Sequence, residues 1–204
     1  MLEKSKDQET ITVLAHKLGL PKRVLCCKYD EQFNLIELKL SALQRPRLPA
    51  EIGQLVHLRS LHIRLSKLRS LSEEIGQLVY LERLHLDHNQ ITSLPEPFWQ
   101  LRNLRYLHLD HNQLTDLPPE IGQLRNLRSL DLSANRLMHV PAEIGQLRHL
   151  RNLFLSQNHL TALPEELGQI QTLLKLSVDD NALARLPETI GQLSRLQELK
   201  LEDE

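Results

Sequence analysis

Residues 104–126 read LRYLHLDHNQLTDLPPEIGQLRN, and residues 127–149 read LRSLDLSANRLMHVPAEIGQLRH. The likeness extends outward in both directions. Leu35, Leu58, Leu81, Leu104, Leu127, Leu150, Leu173 and Leu196 each stand 23 residues from the next. They mark seven full units, numbered 1 to 7 from Leu35, and a partial one from Leu196. Position 4 of every unit is Leu, and position 6 is Leu, Ile or Val. Position 9 is Asn in five units, as Asn89, Asn112, Asn135, Asn158 and Asn181. Position 15 is Pro in six of the seven, and each unit ends in IGQL or a variant of it.

The period has a physical meaning. Positions 4 and 6 alternate with the polar positions 3, 5 and 7, the two-residue rhythm of a half-buried strand. One unit cannot bury its own apolar edge, but stacked units bury a continuous core. Asn at position 9 suits the turn that leaves the strand, and stacked Asn residues would form a hydrogen-bonded ladder. Pro at position 15 fits the first position of a short helix or 3₁₀ segment. Glu120, Glu143 and Glu165 lie close behind it, where a carboxylate favours the helix start.

Composition agrees with a single repeated packing slot. The chain has 204 residues, of which 48 are Leu and only seven aromatic. Lys+Arg (25) and Asp+Glu (26) nearly cancel, which argues against general nucleic-acid binding. No stretch is long and apolar enough for a membrane span, and Met1–Thr10 has no signal-peptide character. Cys26 and Cys27 are adjacent, without the count or spacing of a disulfide framework or a zinc site. Free thiols in a reducing compartment, hence a cytoplasmic protein, are the expectation, with leaderless secretion as the alternative.

The pattern LxxLxLxxNxLxxLPxxIGQL resembles the leucine-rich repeat family. It is similar to the 23-residue class of bacterial, SHOC-2-like and Roco proteins. The resemblance covers residues 35 to 201. It implies an α/β repeat fold, a right-handed curved solenoid with a concave parallel β-sheet and short convex helices or 3₁₀ segments. It also implies protein binding through the concave face, as a scaffold or signalling module.

The expected organisation is an N-terminal cap over 1–34, seven repeats over 35–195, and a partial terminal repeat over 196–204. In the cap, Ile11, Leu14, Ala15 and Leu18 give helical spacing over Thr10–Leu20, ended by Gly19 and Pro21. Arg23–Tyr29 reads as a strand with Cys26 and Cys27 on opposite faces, and Asp30 to Gln32 as a turn. Unit 1 places Leu43 at the Asn position and Arg45 at an aliphatic one. Unit 2 has Ser66 for Asn and Ser72 for Pro, so the ladder is expected to begin in unit 3. Unit 3 replaces Gly with Trp99, read either as a surface variant on the convex side or as an apolar anchor for a partner. The last strand near Leu199 and Leu201 has no cap in the sequence, so weak self-association through that edge, or its fraying, is expected.

On the concave face, His62, His85, His108 and Asp131 fall in one row at position 5, followed by Phe154. Asp87 and Asp110 stand beside it at position 7, Tyr106 lies at position 3, and Arg64 and Arg83 flank the patch toward the N-terminus. Position 8 adds His88 and His111. Three readings stay open. The patch is a partner-recognition surface, with histidines that adjacent carboxylates would keep charged. It is a transition-metal site. Or LHLDHNQ occurs twice through simple duplication. No nucleophile motif, phosphate loop or metalloprotease motif is present, so no catalytic residue and no cofactor are assigned, and an enzyme is not expected. The expected partner is a protein rather than nucleic acid or membrane. The alternative is a structural or metal-binding solenoid.

Overall fold

The computed structural model describes residues 6–20 and 25–201, and its nine strands form one sheet whose spatial order is the chain order. The strands are β1 (Cys26–Tyr29), β2 (Leu35–Ser41), β3 (Ser60–Arg64), β4 (Arg83–His85), β5 (Tyr106–His108), β6 (Ser129–Asp131), β7 (Asn152–Phe154), β8 (Lys175–Ser177) and β9 (Glu198–Lys200). β1 runs antiparallel to β2, and every later pair is parallel. The parallel register is the sequence period itself, as in Leu84 against Leu107 and Leu107 against Leu130. On the opposite side each unit returns through a five-residue 3₁₀ turn, for example Pro119–Gln123 and Ala142–Gln146. The expected solenoid is therefore the fold.

Within unit 4, Leu104, Leu107, Leu109, Leu114, Leu117, Ile121 and Leu124 are all buried, and the same slots repeat along the chain. Position 8 turns the chain out of each strand. Ala42, Leu65, His88, His111, Ala134, Gln157 and Asp180 all adopt left-handed backbone, with φ between 50 and 55°. A non-glycine residue there costs about 1–2 kcal/mol, so something must hold the turn.

The asparagine ladder holds it. Asn135 Nδ2 donates to the carbonyls of Leu132 and Ser133 in its own unit and of Leu109 in the preceding one, at 2.9–3.2 Å. Its Oδ1 accepts the Leu114 N–H at 3.0 Å. Asn89, Asn112, Asn158 and Asn181 repeat the pattern. The ladder also starts one unit earlier than expected. Ser66 is buried, its Oγ accepts the Leu43 N–H and donates to the Arg64 carbonyl. A hydroxyl can make one bond each way, which suffices at the end of the row. In unit 1, Leu43 joins the core and Arg45 is exposed.

Two further expectations are corrected. The prolines sit one residue before the 3₁₀ turns rather than at their first position, with extended ψ. Each proline carbonyl receives the N–H three residues on, as Ile144 to Pro141. Ser72, which replaces proline in unit 2, has the one buried side-chain polar atom without a partner among the described residues. Trp99 is not a surface variant, being only 4% exposed and set edge-on to Phe98 with ring centroids 5.1 Å apart. Most other units need glycine in that slot because the next unit's backbone lies against it. A Cβ on Gly145 would stand 2.5 Å from the Glu166 carbonyl oxygen. Around Trp99 the stack is looser: the turns Glu96–Gln100 and Pro119–Gln123 do not pack closely, as the other neighbouring turns do. The indole fills part of the space between units 3 and 4, beside Leu94, Leu114 and Leu117.

The cap helix α1 spans Lys6–Leu18, four residues longer at its start than the sequence pattern indicates. Ile11, Leu14, Ala15 and Leu18 close the end of the core. Gly19, at φ 69°, ends the helix, with its N–H on the His16 carbonyl and the Leu20 N–H on that of Ala15. The buried carboxylate of Asp7 accepts the Leu35 N–H at 2.7 Å, pinning the cap to the first repeat strand. Pro21, Arg23 and Val24 lie outside the described residues. The Asp30 turn is present, with Oδ1 of Asp30 accepting the Gln32 and Asn34 amides. Cys26 is exposed and Cys27 is half-buried against the core. At the far edge, Leu199 and Leu201 are exposed.

Two stability differences follow. Asn135→Ala leaves several buried backbone groups unpaired, at about 1–3 kcal/mol for such a group, whereas His108→Ala on the sheet surface stays within about 0.5 kcal/mol. Equal denaturation midpoints would refute the ladder's role. Gly145→Ala forces two units apart and costs about 1–3 kcal/mol. Gly191→Ala, whose Cβ meets nothing within 4 Å, leaves the midpoint unchanged.

Candidate functional site

The strand register sets the concave columns. His62 pairs with His85, His85 with His108, His108 with Asp131 and Asp131 with Phe154. The His62 and His85 rings stack at 4.4 Å and 7°, and His108 follows at 4.5 Å, tilted by 45°. Ser60 Oγ lies 2.9 Å from His62 Nε2. A second histidine pair stands on the left-handed turns, His88 over His111 at 4.1 Å. His111 Nδ1 is 3.1 Å from Asp110 Oδ2.

The candidate residues are thus brought together, but they are not equally available. His62, His85, Tyr106, His108, Asp110, Asp131 and Phe154 are half-buried, and Arg64 and Arg83 are exposed. Asp87 is 2% exposed, so it is corrected from a free surface carboxylate to a committed one. Arg64 covers it, with Nε 2.8 and 2.7 Å from its two oxygens. Ser60 and Ser129, on the same face, are also buried.

The electrostatics correct a second expectation. The carboxylates do not hold His62 and His85 in their charged form. Burial, helped by neighbouring His108 and His62, pushes His85 down to about 4, against an opposing pull from Asp87. His62 is lowered too, by burial and then by Lys39. Burial raises Asp131, with Asp110 adding to the shift. The sequence could show that three rings share a column. It could not show that they stack closely enough to exclude water from one another.

Two three-residue groups can converge on a cation. His88, Asp110 and His111 form one, and His108, Asp110 and Asp131 the other, with the potential ligand atoms of each group within 4.8 Å of one another.

Family comparison agrees with this architecture. The description "Leucine-rich repeat region" matches residues 35–111 and 96–158, and "Leucine Rich Repeat" matches 149–170. The chain belongs to the leucine-rich repeat family. A search of curated proteins finds no significant match. Among solved structures, this leucine-rich repeat protein is similar to one from Leptospira interrogans, at 32% identity and a TM-score of 0.59, over 84% of this chain and 56% of that one. It is also similar to the ectodomain of the receptor kinase GASSHO1/SCHENGEN3 from Arabidopsis thaliana, solved in complex with CASPARIAN STRIP INTEGRITY FACTOR 2. That match has 26% identity and a TM-score of 0.74, over 82% of this chain and 21% of the ectodomain. A plant ice-binding protein shares the fold at 24% identity and a TM-score of 0.82, over 98% of this chain and 71% of that one. The chain thus spans about half of the bacterial relative and about a fifth of the receptor ectodomain.

The lowered histidines give a pH test. A folded value near 4 for His85 lies below the ordinary 6.5, so the unfolded chain takes up the proton first. Its contribution to stability is present above pH 6.5 and is lost as pH falls toward 4. Denaturation midpoints across that range decline for the wild type, and His85→Gln flattens the decline. A histidine NMR titration placing His85 above 6.5 would contradict the sign.

Proposed function

We propose that this leucine-rich repeat protein is a protein-interaction module whose concave face receives a partner. The observation that carries the reading is the contrast along the chain. Inward positions 4 and 6 hardly vary between units, whereas outward positions 3, 5 and 7 range over Arg, Lys, Asp, Glu, His, Ser, Asn, Tyr and Phe. A purely structural solenoid would not need that variety at the centre of its exposed sheet. Tyr106 and Phe154 supply apolar contact area, and Arg64, Arg83, Asp110 and Asp131 supply charge around the histidine row. Aromatic and arginine side chains are enriched among residues that carry binding energy. The receptor ectodomain of similar fold, solved with its bound factor, supports protein recognition in general.

Binding fits the face better than catalysis does. Its acid and base groups are spread along columns of a broad sheet, and the histidines are spent on stacking with one another. The two free thiols of Cys26 and Cys27 fit a reducing, cytoplasmic setting.

The test compares capture by the wild-type chain with capture by the combined Tyr106→Ala, His108→Ala and Phe154→Ala variant. The variant keeps its circular-dichroism spectrum and loses the captured partner. Undiminished capture would move binding off the concave face.

A further inference from the structure

We propose that His88, Asp110 and His111 form a binding site for one divalent transition-metal ion of the zinc, nickel and copper class. The three donors come from two adjacent units. His88 and His111 occupy position 8 of units 3 and 4 and share the same left-handed backbone, each with φ 54°. With the same backbone conformation in adjacent units, the two imidazoles stack at 4.1 Å. Asp110 lies beside them, its Oδ2 already 3.1 Å from His111 Nδ1. The potential ligand atoms of all three lie within 4.8 Å of one another. Two ligands on a tetrahedral zinc at about 2.0–2.1 Å stand about 3.3 Å apart, so only side-chain torsions need to change. His88 and His111 are exposed and can make that change.

The chemistry selects the ion class. Two imidazoles and one carboxylate suit zinc, nickel and copper and are a poor match for magnesium or calcium, which take oxygen ligands. The surroundings favour a cation as well. Asp131 has a potential ligand atom within 4.8 Å of one on Asp110, and no lysine or arginine among the described residues pairs with either carboxylate. The nearest arginine in the column, Arg64, is committed to Asp87. The second group, His108, Asp110 and Asp131, competes less well. Asp131 already accepts the Ser133 N–H at 3.0 Å and is half-buried, so it has less freedom to turn toward an ion. Three protein ligands leave a fourth position open on the concave face, for water or for a donor from a bound protein.

The inference concerns the isolated chain and stands apart from the concave-face reading, so failure of partner capture would leave it intact. The untagged chain, stripped with chelator, is titrated with zinc by calorimetry and with cobalt by visible absorption. One ion per chain is expected, with cobalt giving the intense bands of a tetrahedral complex. His88→Ala and His111→Ala each weaken binding at least tenfold, and together they abolish it. His139→Ala, a histidine away from the cluster, and Asp131→Asn keep one ion bound. Thermal unfolding of the metal-free variants matches the wild type, because both histidines are exposed. Absence of zinc binding overturns the proposal. So does a double His88/His111 variant that binds as the wild type does, or loss of the ion on Asp131→Asn with retention on His88→Ala.

Discussion

The turn at positions 8 and 9 is the constraint from which the rest of the solenoid follows. Seven residues in left-handed backbone, none of them glycine, would be a sum of local penalties in an isolated peptide. From Leu65 onward each is held because the side chain that follows it, Ser66 or an Asn, hydrogen-bonds the turn and reaches into the unit before. Asn112, for example, donates to the Leu109 and Asp110 carbonyls of its own unit and to the Leu86 carbonyl of the preceding one, while accepting the Ile91 N–H. The amide is the shortest side chain with both a double donor and an acceptor, so no other residue satisfies all these groups at that depth. Intra-unit geometry and inter-unit register are set by the same atoms. That is why the period does not drift across the seven units.

The convex side solves a different problem with a different residue. There the units must approach until backbone meets backbone, and the glycines of the IGQL tails permit it. Gly76, Gly145 and Gly168 each face a backbone oxygen of the following unit at a distance no Cβ tolerates. Trp99 shows the other solution. One bulky side chain is admitted by letting the two adjacent turns part, and the indole then replaces the lost contact with its own buried area. The stack therefore has one seam between units 3 and 4. The concave columns cross that seam unbroken, with His85 still paired to His108.

The period made the fold legible. Positions 4, 6 and 9 and the proline each have a mechanical reason that can be argued from one unit and multiplied. What was not legible came from neighbours that only stacking reveals. Trp99 reads as exposed because a slot that normally holds glycine has no room for an indole inside the stack, and the parting of two turns leaves no trace in composition. Ser66 read as a break in the ladder, yet at the end of a row one donor and one acceptor are enough. Asp87 read as a surface carboxylate because position 7 faces outward. Its burial depends on where the Arg64 side chain lies, which the alternation of a strand does not specify. The sites of recognition were legible only as columns. Which member of a column is free could not be read from the residue type.

That last distinction bears on function. With strands about 4.8 Å apart, any charged side chain on this sheet stands beside the same position of the next unit, and several charges are satisfied within their own column. Arg64 pairs with Asp87, Lys175 with Glu198, and the Ser156 hydroxyl donates to Asp179 at 2.6 Å. His62 and His85 answer the same crowding by losing charge instead of pairing, since burial leaves a proton on either ring poorly hydrated and the rings on both sides of His85 repel one there. The exception lies where the duplicated LHLDHNQ segments meet unit 5. There Asp131 pairs in register with His108, and Asp110, just past the end of the same strand as His108, brings a carboxylate oxygen within 4.8 Å of one on Asp131, with imidazoles around them and no lysine or arginine paired to either among the described residues. A negative, nitrogen-rich patch left uncompensated directs an incoming positive group to units 4 and 5. Whether that group is a metal ion or a basic side chain of a partner, the same imbalance of charge attracts it.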